Sequence, residues 1–227
     1  MARSATDPAR RWERLPTRLL GAAIAAVLRL LRATWRVSID GLQPVDAVLD
    51  AGGQVLAVFW HGGFPGLFTL FGECRACFLV SRSFRGRVVG EVGRRFGYCC
   101  VTVPERKPGR AHPPFEMLLA GCRALAVAVD GPLGPRHRAK PGVVRLAAKG
   151  GYLVVPVGLA ARRRWVARRR WDRLFLPLPF TRVHLQIAAP FSLRMADAEQ
   201  SEAWAASLDR LLVQAERQAL ARVASGK

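Results

Sequence analysis

The segment VLAVFWHGGFPG, residues 55–66, leads from an apolar run directly to His61 and then into glycine-rich sequence. An imidazole ordinarily titrates near neutral pH, so it can take a proton from a substrate under physiological conditions. A histidine that only fills core space needs no permissive backbone around it, whereas one that meets a substrate does. The pattern therefore favours His61 as a reactive residue.

A second polar position, Asp130, ends the apolar run ALAVAVD. The loop that follows, DGPLGPRHRAKPG at residues 130–142, combines glycines and prolines with Arg136, Arg138 and Lys140. Arginine can hold a phosphate through two parallel hydrogen bonds, and lysine attracts it as a point charge. The loop indicates an anion-binding site, with a simple Pro-Gly turn as the alternative.

These residues lie in a chain where apolar, strand-like runs alternate with short helical patterns. Strands are predicted at WRVSIDGL, QVLAVFW, ACFLVS, CCVTV, ALAVAVD, YLVVPVGLA and RVHLQIAAPF, and helices at VDAVLDAGG, RVVGEVGRRFGY, PPFEMLLAGCR, GVVRLAAKGG and the C-terminal SEAWAASLDRLLVQAERQALARV. This alternation is typical of a single α/β domain with a mainly parallel central sheet covered by helices. Ligands of such sheets bind beyond the carboxyl ends of the strands, where His61 and Asp130 are expected.

The composition narrows the class of protein. With 227 residues and 51% hydrophobic side chains, the chain can build a full core, which excludes wholesale disorder. Its net charge of +20 favours anionic partners: nucleic acid, phospholipid headgroups or phosphorylated small molecules. The five cysteines include one C-x-x-C pair, Cys74 and Cys77, without a second pair at ligand spacing. We therefore expect no metal site and no disulfide framework.

Residues 1–35 are predicted to be a basic, amphipathic segment that associates with a membrane. The uncharged stretch Leu19–Leu28 is shorter than the roughly 20 residues that span a bilayer. Arginines flank it, as in a helix that lies in the membrane interface. A helix packed on the domain is the alternative.

A basic run, ARRRWVARRRWDR at residues 161–173, interleaves seven arginines with two tryptophans. Cations at headgroups and indoles at the interface suit an anionic membrane. The predicted membrane-binding residues are Arg162, Arg163, Arg164, Trp165, Arg168, Arg169, Arg170 and Trp171. A solvated cationic face and nonspecific nucleic-acid binding are the alternatives.

Six segments occur in order over residues 36–192: VFWHGG, LVSRSFRG, GRRFGY, VDGPLGPRHRAKPGVVRLA, GYLVVPV and WDRLFLPLPFTRV. Together they resemble the lysophospholipid acyltransferase-like superfamily, in particular a divergent bacterial branch. The resemblance implies a glycerolipid acyltransferase-like fold over residues 36–192, to which we add a C-terminal helix, 193–227, packed on the domain. It also implies transfer of an acyl group from a thioester, acyl-CoA or acyl-carrier-protein, to a membrane lysolipid-type acceptor.

By this resemblance His61 is the general base, and Asp130 is the second catalytic residue that we assign. The implied substrate-binding residues are Gly131, Arg136, Arg138, Lys140, Ser81 and Arg82. No bound cofactor is expected, and the partners are anionic membrane lipids and the thioester donor. We expect a peripheral location at the cytoplasmic face of the inner membrane.

The chain departs from the superfamily's H-x-x-x-x-D motif, because Gly66 stands at the aspartate position. Such a carboxylate orients the imidazole and stabilises its charged form. We predict that Asp130 approaches His61 and takes this role. A catalytically weak lipid- or phosphate-binding protein on the same scaffold, and less favoured a nonspecific nucleic-acid binder, are the alternative functions.

Overall fold

The computed structural model describes residues 8–71, 76–103 and 122–225, with side chains from residue 15 onward. Its helices are α1 (Pro8–Thr34), α2 (Gln43–Asp50), α3 (Phe64–Phe68), α4 (Phe84–Arg95), α5 (Pro141–Gly150) and α6 (Ser201–Ser225). Its strands are β1 (Arg36–Asp40), β2 (Val55–Phe59), β3 (Cys77–Ser81), β4 (Cys99–Val103), β5 (Ala124–Ala128), β6 (Leu153–Ala161), β7 (Arg164–Val166), β8 (Phe175–Pro177), β9 (Arg182–Ile187) and β10 (Phe191–Ser192). Residues 113–121 of the helix predicted at residues 113–123 lie outside the described residues, as does Cys74 of the C-x-x-C pair.

The central sheet runs in the order β1-β9-β6-β2-β5-β3-β4, and β10 pairs with the start of β6. Its pairs are parallel except for β6 with β9 and β6 with β10. The predicted α/β class with a mostly parallel sheet is confirmed. Because β2 and β5 are parallel neighbours with Phe59 opposite Ala128, His61 and Asp130 emerge at the same edge.

The side chains of β2 are packed on both faces of the sheet, which helices cover. Leu56, Val58 and Trp60 join a buried cluster with residues of α5 and α6. Val55 and Phe59 join a second cluster on the opposite face. Successive side chains of a strand point to opposite faces, so a strand that is buried on both sides is apolar throughout. This is why β2 carries no polar residue before the sheet edge.

The expectation that the cysteines form no disulfide is wrong for one pair. Cys77 is bonded to Cys122, 45 residues further along the chain. Cys77 begins β3, Cys122 lies two residues before the neighbouring strand β5, and their Cα atoms are 6.1 Å apart. This separation is one that a disulfide normally spans. Adjacency of two strands in a sheet is a long-range property that the spacing of cysteines does not reveal.

Helix α1 packs on the domain through one face and exposes another. Gly21, Ala25 and Leu28 are buried, and a Cβ added at Gly21 would lie 2.6 Å from Cγ of Glu91 in α4. On the other side Leu19, Leu20, Ile24, Val27 and Leu30 are exposed. Within the ranges described above, no helix combines the length and apolarity needed to cross a bilayer.

Candidate active site

His61 begins a short 3-10 turn, His61–Gly63, directly after β2. Gly62 lets another segment press against this turn, since a Cβ at Gly62 would lie 2.5 Å from the backbone oxygen of Asp172. Gly63 is likewise close to a neighbour, 3.5 Å from the ring of Phe175 for an added Cβ. Gly62 therefore leaves room for the backbone at residue 172 to pack against the turn. This packing brings a carboxylate to the imidazole.

Asp172 is that carboxylate. Its Oδ2 lies 2.8 Å from Nδ1 of His61, and its side chain is fully buried. Arg170 donates to both carboxylate oxygens, from Nε at 3.0 Å and from Nη2 at 2.8 Å, and the backbone N–H of Leu174 donates at 3.2 Å. Burial opposes ionisation of Asp172, but the hydrogen bonds from Arg170, His61 and Leu174 outweigh it and lower its pKa to about 2. Asp172 is therefore ionised at neutral pH.

This arrangement fixes the tautomer of His61. An ionised carboxylate can only accept, so Nδ1 carries the hydrogen and Nε2 is left with a free lone pair. Nε2 has no hydrogen-bond partner among the described residues, and 23% of the side chain is exposed. The rings of Phe64 and Trp171 flank the imidazole at centroid distances of 5.1 and 5.2 Å. Nε2 is thus the atom that can accept a proton from an incoming ligand.

Asp130 approaches His61 as predicted, but the predicted role in orienting the ring is wrong. The Oδ1 atom accepts the backbone N–H of His61 at 2.8 Å, and Oδ2 accepts the backbone N–H of His137 at 3.1 Å. The side chain is fully buried. His137 in turn stacks on Trp60, with ring centroids 4.7 Å apart. Asp130 therefore links the end of β2 to the loop at residues 131–140, because each of its two carboxylate oxygens accepts a main-chain N–H.

The same loop closes against the imidazole. A Cβ added at Gly131 would lie 2.8 Å from Cδ2 of His61, so only glycine fits there without movement. Gly134 has a φ of +76°, in the left-handed region that favours glycine, and an added Cβ would lie 2.8 Å from the Trp171 ring. Gly131, predicted to bind substrate, is therefore placed beside the reactive ring.

The three loop cations have different surroundings. Arg138 pairs with Asp209 of α6 at 3.6 Å, and Asp209 also accepts the backbone N–H of Ala139. Lys140 precedes the first residue of α5. Arg136 is exposed and has no ion pair among the described residues. Of the three, Arg136 is the cation most available to an anion.

Ser81 is the last residue of β3, and Arg82 lies between β3 and α4. Ser81 Oγ is 2.7 Å from Oγ of Ser83, which caps the helix by accepting the backbone N–H of Gly86. The backbone oxygen of Arg82 accepts from the side chain of Arg87. In the described part of the chain neither residue is hydrogen-bonded to His61, so their binding of substrate stays a prediction.

Two residues predicted to bind the membrane also contact the candidate site. Arg170 is held by Asp172, and Trp171 lies against His61 and Gly134. The predicted basic run contributes β7 and most of the loop that leads from β7 to β8. The other members of the predicted set are exposed, as Arg170 is: Arg162, Arg163, Arg164, Trp165, Arg168 and Arg169.

Asp172 is a residue of the candidate site that the sequence analysis did not predict, although its position in the sequence carried a signal. No Asp or Glu occurs from residue 131 to residue 171, so Asp172 is the first carboxylate after a long basic stretch. An acid that ends such a run, beside a tryptophan, is a candidate for pairing with one of the arginines. Its approach to His61 could not be inferred, because it depends on how the hairpin folds back over the sheet edge.

No protein-family model matches the chain. An uncharacterized protein of Rickettsia prowazekii is 24% identical over 144 residues, which cover 61% of this chain and 64% of that protein. The chain thus spans a little under two thirds of the length of this relative. Because this relative is uncharacterized, the similarity assigns no activity to this chain. Any chemistry must be inferred from the geometry of the site.

Proposed function

We propose that the protein is an acyltransferase that moves an acyl group from a thioester donor to a hydroxyl or amine of a membrane lysolipid-type acceptor. The observation that carries this proposal is the contact of His61 Nδ1 with the buried, ionised Asp172 at 2.8 Å. A carboxylate in this position orients the imidazole and stabilises its protonated form. A histidine in this arrangement is suited to general-base catalysis of acyl transfer.

In the proposed step the acyl group passes directly from the thioester to the acceptor, with His61 as the base. Nε2 of His61 takes the proton of the acceptor O–H or N–H while the acceptor atom attacks the thioester carbonyl carbon. The tetrahedral intermediate collapses and the C–S bond breaks, and the departing thiolate takes the proton from the imidazolium. The products are an ester or amide and a free thiol, and His61 is neutral again. Asp172 stays ionised throughout and offsets the transient positive charge.

The carboxylate at residue 172 also bears on the alternative of an inactive binder. That alternative was motivated by Gly66, which leaves His61 without the carboxylate of the H-x-x-x-x-D motif. Asp172 supplies an equivalent group from a distant part of the chain. This contact supports catalysis over binding alone.

We place the protein at an anionic membrane surface, through the exposed apolar face of α1. Phe180, which is 74% exposed, lies beside the end of α1, since its backbone N–H donates to Oγ1 of Thr34. Leu176 of β8 packs against the buried cluster that also contains Leu28 of α1. The exposed apolar side chains of α1, Phe180 and the arginines around β7 suit a helix and a loop that lie in the headgroup region of a membrane.

The test is an acylation assay with a radiolabelled long-chain acyl thioester and lysophospholipid in vesicles. We expect transfer by the wild type and loss of transfer in His61→Ala, with the thermal unfolding temperature of the variant unchanged within a few degrees. Vesicle binding without any transfer would instead favour the inactive lipid binder. Tight duplex DNA binding with a steep salt dependence and no vesicle binding would favour the nucleic-acid binder.

A further inference from the structure

A second cluster of reactive side chains lies at the outermost strand of the sheet, β1, away from the candidate active site. Ser38 and Asp40 of β1 share a face with His184 of β9, because the strands are parallel with Ser38 opposite His184 and Asp40 opposite Gln186. Three strand spacings, roughly 14 Å, separate β1 from β2, the strand that leads to His61. The proposed acyl transfer uses none of the groups in this cluster.

Ser38 and His184 are in hydrogen-bond contact. Oγ of Ser38 lies 2.7 Å from Nδ1 of His184, and Ser38 is exposed whereas the imidazole is fully buried. Burial lowers the pKa of His184 below its ordinary value, so the ring is neutral at pH 7 and one of its nitrogens has a lone pair. A hydroxyl that a ligand can reach therefore lies against an imidazole that can take its proton.

Asp40 determines which nitrogen of His184 carries the hydrogen. Its Oδ2 lies 3.6 Å from Nε2 of His184 and 3.4 Å from Nε of Arg222 in α6. A carboxylate accepts hydrogen bonds and cannot donate them, so it favours the hydrogen on Nε2 and leaves the lone pair of Nδ1 to Ser38. Contacts between a base and its orienting carboxylate are commonly long before a ligand binds. Ser38, His184 and Asp40 thus have the order of nucleophile, base and orienting group.

A buried donor without a partner lies next to this group. Arg182 precedes His184 by two positions in β9, so its side chain is on the same face of the sheet. Its Nη1 is buried and makes no hydrogen bond within the described part of the chain. Buried donors are normally satisfied, so a free donor beside a reactive hydroxyl indicates a ligand with an acceptor oxygen. The carbonyl oxygen of an ester is such an acceptor, and it gains negative charge when a nucleophile attacks.

We infer that Ser38, His184 and Asp40 form a second reactive site in which Ser38 is the nucleophile toward a carboxylic ester. Oγ of Ser38 attacks the carbonyl carbon while Nδ1 of His184 takes its proton. The C–O bond to the alcohol then breaks, and the alcohol leaves with that proton. Water cleaves the acyl-serine in the same way, which releases the carboxylic acid and restores the hydroxyl. This chemistry needs neither His61 nor a thioester, so it goes beyond the proposed acyl transfer and does not depend on it.

A fluorophosphonate probe tests the nucleophile, because an activated serine displaces its fluoride and keeps the phosphonyl group. We expect the full chain to be labelled once, and peptide mapping by mass spectrometry to place the label on Ser38. Ser38→Ala should remove the label, and His184→Gln should slow labelling about 100-fold. Asp40→Asn should slow it at least about tenfold. Because Asp40 is 43% exposed, this variant keeps the test valid if the change at the buried histidine impairs folding.

Two matched controls separate activation from mere exposure. Ser192→Ala removes an exposed serine of another strand, and Asp46→Asn makes the same change of charge at an exposed position of α2, so both should be labelled at the wild-type rate. Absence of labelling, a label on another residue, or equal rates in the wild type and in Asp40→Asn would overturn the inference. Labelling needs no thioester and no acceptor lipid, so a failure here is distinguishable from a failure of the acylation assay.

Discussion

Asp172 Oδ2 lies 2.8 Å from Nδ1 of His61, although the two residues are 111 positions apart in the chain. The contact is possible because Gly62 lets the backbone at Asp172 press against the turn that carries His61. It gives the imidazole a buried carboxylate partner in a chain whose sequence lacks one at the usual spacing.

Replacing Asp172 by Asn should abolish most of the turnover while leaving the fold intact. The amide keeps the shape of the side chain but cannot stabilise an imidazolium, and it can donate to Nδ1 and so favour the wrong tautomer. We expect the acyl-transfer rate to fall on the order of 10³- to 10⁴-fold. Asp46→Asn, at an exposed position of α2, is the matched control and should retain wild-type turnover. A fall of less than about tenfold in Asp172→Asn would show that this carboxylate does not orient the base.

The same carboxylate predicts a loss of stability in acid. The pKa of Asp172 is lowered to about 2 in the folded protein, below its ordinary value of 3.8. Its ionised interactions therefore stabilise the fold fully above about pH 4 and are lost as the pH falls toward about 2. In Arg170→Gln, which removes the strongest donors to Asp172, unfolding in acid should begin at higher pH. Urea unfolding between about pH 2 and about pH 5 measures this, with the exposed Arg168→Gln as control, and identical curves for all three proteins would refute it.

Much of the fold follows from the sequence, because the strands are apolar runs bounded by glycines, prolines or charges. The edge where His61 and Asp130 emerge was predictable from the same runs. The hairpin β7–β8 was not, since arginines dominate its sequence and hide its strand pattern. The contact of the imidazole with Asp172 depends on that hairpin, so it could not be predicted either. Asp130 lies near His61 as predicted, but Asp172 contacts the imidazole in its place. The periodicity of a strand does not tell whether a carboxylate at its end binds a side chain or the main chain.

Gly131→Ala should impair the reaction through the position of the imidazole. The added Cβ would lie 2.8 Å from Cδ2 of His61, a distance at which one group must move. A displacement of about 1 Å at a catalytic group costs roughly 100-fold in rate, so we expect a loss of this order in kcat. Gly142→Ala, where a Cβ meets nothing within 4 Å, is the control and should keep wild-type activity. Equal kcat values for the two variants would show that the loop does not constrain His61.

The exposed face of α1 predicts membrane binding that a single charge can weaken. Val27→Asp places a carboxylate among the exposed apolar side chains of α1, at a position that is 53% exposed and makes no demand on the fold. Losing the burial of one valine costs about 1.5 kcal/mol or more, so partitioning to phosphatidylglycerol vesicles should fall at least about tenfold in a sedimentation assay. Leu220→Asp, which is 40% exposed on α6, should bind as the wild type does. If both variants bind equally, α1 is not the docking face.

Gly66→Asp restores the aspartate of the H-x-x-x-x-D motif in sequence, and we expect it to harm the protein. Gly66 is buried in α3, where an added Cβ would lie 2.7 Å from Cδ2 of Leu159 and 3.8 Å from Cγ of Pro177. The new carboxylate would enter an apolar contact, where an unpaired charge costs about 3 kcal/mol or more. Gly66→Ala separates the steric part of this cost from the charge, and the free energy of unfolding of both variants measures it. A stable Gly66→Asp protein with raised kcat would mean that the aspartate can reach His61, and that Asp172 has not replaced it.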